Sequence, residues 1–143
     1  MTKSIKTLAR DYYAALAYAF KAKDSERLKG FLAADCKLTV LSESFIGKEA
    51  AFQFMSSMIS LINRFEIRRQ YFDHDSCCTV MDLITPIPDL HVSNIECIII
   101  RDGQVVEINV VFDAQAWNRF MLLIENGDLF TAKTLERKNF FNR

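Results

Sequence analysis

Residues 92–117 read VSNIECIIIRDGQVVEINVVFDAQAW, and this stretch decides the fold. Val92 to Ile100 is rich in β-branched residues, which suit a pleated, half-buried surface. Asp102-Gly103 then stands between two apolar runs, the strongest local signal for a β-hairpin. Val105 to Phe112 is the return strand. Asp113 follows as the N-cap of a helix through Trp117 to about Glu125, with Asn126-Gly127 as its stop. Alternation puts Val106, Ile108, Val110 and Phe112 on one face of the return strand, and Glu107 and Asn109 on the other. On the first strand Asn94, Glu96, Ile98 and Ile100 share a face. A carboxylate buried among such neighbours is costly unless it is paired, protonated or used. Glu96 is therefore the first candidate functional residue.

Upstream, the apolar residues of segment 4–22 fall at three- and four-residue spacings (Ile5, Leu8, Ala9, Tyr12, Leu16, Ala19, Phe20), which predicts an amphipathic helix with Ser4 as its N-cap. Asp24 caps a short second helix that turns Leu28, Phe31 and Leu32 inward, with Ala33-Ala34-Asp35 as its exit. Cys36 to Ser42 reads as a strand and Ser44 to Gly47 as a break. A third helix runs from Lys48 to about Asn63. It is apolar around so much of its circumference (Phe52, Phe54, Met55, Met58, Ile59, Leu61, Ile62) that it must be covered on more than one side. Two further strands follow. Phe65 to Phe72 alternates, with Phe65, Ile67, Arg69 and Tyr71 on one face. Cys77 to Thr85 is the next, and the Pro86-Ile87-Pro88-Asp89 segment is a loop. Helices first and strands after them mean α+β, with the helices packed on one face of an antiparallel sheet.

Composition narrows the function. The 143 residues suit one domain (1–143), with 128–143 as a C-terminal extension whose Phe130, Phe140 and Phe141 call for a docking surface. Eighteen basic residues balance 18 acidic ones, which argues against a general nucleic-acid binder. No run is long enough to span a membrane. The N-terminus lacks the apolar core of a secretory signal, so a cytoplasmic location is the expectation. The four cysteines match no metal or redox spacing and read as buried, reduced thiols. His74, between Asp73 and Asp75, reads as part of a solvated turn. Neither a metal nor a cofactor is expected.

Three patches together resemble the nuclear transport factor 2-like (NTF2-like) superfamily, in its SnoaL-like polyketide cyclase and ketosteroid isomerase-type branch. They are DSERLKGFLAADCKLTV (24–40), FIGKEAAFQFM (45–55) and IIIRDGQVVEINVVFDAQAW (98–117). The resemblance covers about Leu8 to Leu123. It implies a cone: three N-terminal helices packed on a curved, mostly antiparallel sheet around an apolar pocket, with a homodimer formed through the sheet. Fold likeness alone fixes no reaction. Carried over residue by residue, the isomerase base falls on Val40, its tyrosine on Leu16, its hairpin acid on Glu96 and a pocket aromatic on Phe112. The base is thus absent. The epoxide-hydrolase branch would need an arginine where Val80 stands and a second acid where Val110 stands, although Asp82 could replace one of its acids.

The candidate catalytic residues are accordingly Glu96 and Asp82, with an outward Asp82 paired to Arg68 or Arg69 as the alternative. The candidate ligand-binding residues are Tyr12, Leu16, Val40, Phe112 and His91, the last at the mouth of the cone. The leading function is binding of a small, mostly apolar molecule, with acid–base chemistry through Glu96. The alternative is a non-catalytic dimeric module whose pocket is filled by its own side chains.

Overall fold

A computed structural model describes residues 3–127. Helix α1 (Ile5–Ala22) begins where Ser4 Oγ accepts the Thr7 N–H at 3.2 Å, and it ends at Lys23 in the left-handed conformation. Helix α2 (Glu26–Lys29) is a single turn. Strand β1 (Leu32–Val40) starts earlier than the sequence suggested, so Leu32 belongs to the sheet and not to the second helix. The reason is tertiary. Phe31 already accepts the Val105 N–H through its carbonyl at 2.7 Å, and the neighbouring strand claims the chain from there. The expected break at 44–47 is mostly strand β2 (Glu43–Ile46), reached by a reversal in which Leu41 takes a φ of 55°. Gly47, at φ 94°, then turns the chain into helix α3 (Lys48–Leu61), a conformation that a side chain would strain.

Strands β3 (Arg64–Phe72), β4 (Ser76–Ile84), β5 (His91–Arg101) and β6 (Gln104–Phe112) complete a six-stranded sheet of order β2-β1-β6-β5-β4-β3. Every neighbouring pair is antiparallel except β1–β6. Asp102 (φ 52°) and Gly103 (φ 77°) form the expected tight turn. Helix α4 (Ala114–Gly127) is capped by Asp113, whose Oδ1 accepts the Gln115 and Ala116 N–H groups at 3.1 and 3.2 Å. Its Trp117, Phe120 and Met121 are fully buried. The core lies between this sheet and the helices on one of its faces, and the whole is an α+β cone.

Two bulges change which residues point inward. The β3–β4 register shifts between Ile67 and Arg69, leaving Arg68 as the extra residue. Past it, Gln70 and Phe72 join the face of Phe65 and Ile67, whereas Arg69 and Tyr71 turn outward, against simple alternation. The β5–β6 register shifts between Ile99 and Ile100, so Val105, 1% exposed, takes the inward place expected for Val106. Ile108 and Phe112 are buried as expected. Bulges sharpen the bend and twist of a strand, which helps to curve the sheet around its contents.

Not all cysteines are free thiols. Cys78 and Cys97 face each other across β4 and β5 with Cα atoms 4.1 Å apart, and they form a disulfide on the outer face of the sheet. Register brings them together, and their positions in the sequence do not reveal register. Cys36 and Cys77 are free and buried. Around the disulfide, Tyr71, Ile95 and Val111 are exposed on that outer face. Among the described residues no helix is long and apolar enough to cross a membrane. The proposed C-terminal extension, with Phe130, Phe140 and Phe141, lies outside the described residues.

Candidate functional site

The inward face of β5 carries Asn94, Glu96, Ile98 and Ile100, none more than 9% exposed. Alternation along this strand is unbroken, so Glu96 reaches the interior as the sequence requires. There it meets Tyr13 of α1, whose hydroxyl donates to Glu96 Oε1 at 2.8 Å. Thr79 lies directly across the ladder on β4, and its Oγ1 accepts from Gln70 Nε2 at 3.1 Å. That bond exists because the bulge at Arg68 turns Gln70 inward.

Burial dominates the electrostatics. It pushes the Glu96 carboxyl up to about 7, while the Tyr13 hydrogen bond pulls the other way by favouring the charged form. The Tyr13 hydroxyl is itself held well above its ordinary range, first by burial and then by the facing acid. Near neutral pH Glu96 is thus divided between its neutral and ionised forms, and it can give or take a proton.

Glu96 and Asn94 line a cavity of about 60 Å³ whose other walls are apolar, among them Leu16, Phe20, Met55 and Met58. Phe54 and Phe112 belong to its wall and also to that of a larger neighbouring hollow of about 160 Å³, where Val40, Glu43, Trp117 and Asn118 lie. The inner cavity and the outer hollow therefore meet at these two rings.

Of the residues singled out from the sequence, Glu96, Leu16 and Phe112 converge on the inner cavity, and Val40 lines the outer hollow. Asp82 does not join them. It lies on the opposite face of β4, where Arg68 Nε donates to its Oδ2 at 2.6 Å, so the outward alternative holds. A joint catalytic role for Asp82 and Glu96 has no geometric basis, because neighbouring residue parities on a strand point to opposite faces. His91 is exposed and follows the outward parity of Ser93 and Ile95, away from the cavity. Tyr12 is completely buried but is absent from the cavity wall. Its ring packs edge-on against Tyr13 and Phe31 at 5.0 and 6.1 Å, and its hydroxyl has no hydrogen-bond partner among the described residues. Tyr13 takes the position toward the acid instead. The signal for it was the 13-16-20 spacing, which continues the Leu16–Phe20 ridge that lines the cavity. Asn94 was visible as a polar member of the inward face, though with no chemistry attached. His74 pairs with its neighbour Asp73, at 3.1 Å in a solvated turn. Among the described residues no group of three or more His, Cys, Asp or Glu could hold a metal ion.

No family model matches the chain, and no curated protein matches it. Solved structures do. A steroid delta-isomerase from Pseudomonas aeruginosa superposes with a TM-score of 0.65 at 17% identity, covering 85% of this chain and 94% of that one. A Jannaschia sp. CCS1 protein described as a SnoaL-like polyketide cyclase gives 0.65 at 15% identity, covering 82% and 94%. An NTF2-like protein of unknown function from Cytophaga hutchinsonii gives 0.63 at 14% identity, covering 82% and 99%. At these identities the likeness is one of fold: the chain has the α+β cone of these NTF2-like, SnoaL-like and steroid isomerase structures.

Proposed function

We propose that the cone binds a small, mostly apolar molecule and that Glu96 meets an oxygen of that molecule as a carboxylic acid. The observation that carries this is a buried carboxyl, raised to about 7, on the wall of an otherwise apolar cavity. Such a group can hydrogen-bond a ligand carbonyl or hydroxyl, and can pass it a proton if charge develops there. Tyr13 positions the carboxyl and does not replace it as the donor, since its own proton is committed to Glu96. Val40 stands where a strand base would be needed, so the chemistry supported is acid assistance and not a two-group proton shuttle. With a free volume of about 60 Å³, entry of a ring requires Met55 and Met58 to move. Thioether side chains re-pack at low cost.

The same small volume favours a second reading, a filled-core module without a ligand, because ordinary ligand pockets run to roughly 300–1,000 Å³. In both readings the exposed outer face with Tyr71, Ile95 and Val111 serves a homodimer through the sheet. Native mass spectrometry of freshly purified protein, followed by denaturing extraction, separates the two. A co-purified apolar small molecule that is lost in Glu96→Ala supports binding. A dimer with no bound mass, and no thermal shift across a panel of apolar ligands, leaves the filled module.

A further inference from the structure

Asn94 is the polar group that the proposed acid chemistry leaves unused. Its side chain is 6% exposed and lines the same cavity as Glu96. Its Oδ1 is buried with no hydrogen-bond partner among the described residues. A buried acceptor without a donor is costly and uncommon in native proteins, and it calls for a specific explanation. The neighbours cannot supply the donor. Met81 faces Asn94 across β4 and Phe112 faces it across β6, and neither side chain carries an N–H or O–H. Two residues along the same face, Glu96 takes the Tyr13 proton bond for itself. The cavity thus presents an acid at one point of its wall and a free amide oxygen about 7 Å along the strand, at roughly 3.4 Å per residue.

We infer that Asn94 is a specificity-determining residue that selects a ligand hydroxyl, whose proton its Oδ1 accepts, on an otherwise apolar, ring-sized molecule. The inference rests on the ligand-binding reading above and narrows it to alcohols over ketones and hydrocarbons of the same shape. A ketone oxygen only accepts hydrogen bonds, so it is served at Glu96 and leaves the Asn94 Oδ1 without a donor. A methyl group serves neither. Sites built to bond a hydroxyl discriminate through the penalty of leaving their own polar group unmatched.

The probes are cyclohexanol, cyclohexanone and methylcyclohexane, titrated into the full chain carrying ¹³C-methyl methionine. Met55 and Met58 report from the cavity wall itself. Wild type is expected to bind cyclohexanol about tenfold more tightly than either analogue, the scale of one net hydrogen bond. Asn94→Leu keeps size and removes the acceptor, and should bring the three affinities together. Asn94→Ala provides the same comparison without added bulk if the leucine variant folds poorly. An alcohol preference that survives both substitutions overturns the inference and moves the contact to Glu96. Equal affinities in wild type overturn it too, and would leave a buried water as the partner of Asn94. If no probe shifts the Met55 or Met58 methyls, the ligand-binding reading itself falls.

Discussion

The raised pKa of Glu96 has a measurable cost in stability. In the unfolded chain the carboxyl titrates near 4.5, and in the folded protein near 7. Below 4.5 both states hold the proton and the group contributes no difference. As pH rises from there, the unfolded chain releases its proton first, so the folded state binds more protons and stability falls. Above about 7 both states are ionised and the penalty is complete. At about 1.4 kcal/mol per pH unit, that gap amounts to about 3 kcal/mol lost across the window. Glu96→Gln keeps the side-chain length and an oxygen for the Tyr13 hydroxyl, and it removes the titration. Urea unfolding followed by the fluorescence of Trp117, the sole tryptophan, gives the stability of each form at a series of pH values. The two proteins differ only at position 96, so the difference isolates Glu96. The variant should gain about 3 kcal/mol relative to wild type between pH 4.5 and about pH 8. Parallel stability curves, or a variant whose deficit grows with pH, would refute the reasoning, because either result would mean that the carboxylate is well solvated or well paired in the fold.

Tyr13→Phe removes the hydrogen bond that favours the charged form, so the Glu96 midpoint should move above its present value of about 7 in a ¹³C carboxyl titration. An unmoved midpoint would show that the 2.8 Å contact carries no weight. Lys23 joins two helix ends, with its Nζ donating to the Ile59 and Ile62 carbonyls at 2.7 and 2.5 Å. Lys23→Met should cost about 1–3 kcal/mol in chemical denaturation, the usual loss when acceptors at a helix end are left without their charged donor. Thiol counting in denaturant without reductant should find two reactive cysteines per chain, Cys36 and Cys77. Closing a loop with a sequence separation of 19 stabilises by about 3 kcal/mol in the chain-entropy account, so reduction should lower the unfolding midpoint.

The parts of this site that were legible in the sequence are those fixed by local rules. The Asp102-Gly103 turn anchors the hairpin, and the alternation from Val92 to Ile100 runs without interruption, so the inward direction of Glu96 followed from counting. What counting missed depends on a partner strand or helix. Nothing in RFEIRRQYF marks Arg68 as a bulge. The shift arises from pairing with β4, and it reverses the parity of Gln70 to Phe72. Tyr12 and Tyr13 differ by one step of about 100° around α1, and only the packing of that helix on the sheet decides which hydroxyl meets the acid. Asp82 was ambiguous for a related reason, because its flanks are apolar on a strand whose outer face is partly covered by the long arm of Arg68. The disulfide required the register of β4 and β5, which spacing does not reveal.

The position of that disulfide constrains how the chain can vary. Cys78–Cys97 is the rung immediately beside Thr79–Glu96. In a ladder of period two, sliding by a single residue would send the acid to the solvent side and bring Cys97 to the interior. With the rung closed by a covalent bond, β4 and β5 cannot slide past each other. Any gain or loss of residues between positions 79 and 96 must then be taken up where the ladder is open, in the Thr85–Leu90 connection with its two prolines. Homologues with a different length in this region should therefore differ at that connection and keep the strands in step, so that the bond holds the acid's orientation through insertions and deletions as well as through thermal motion.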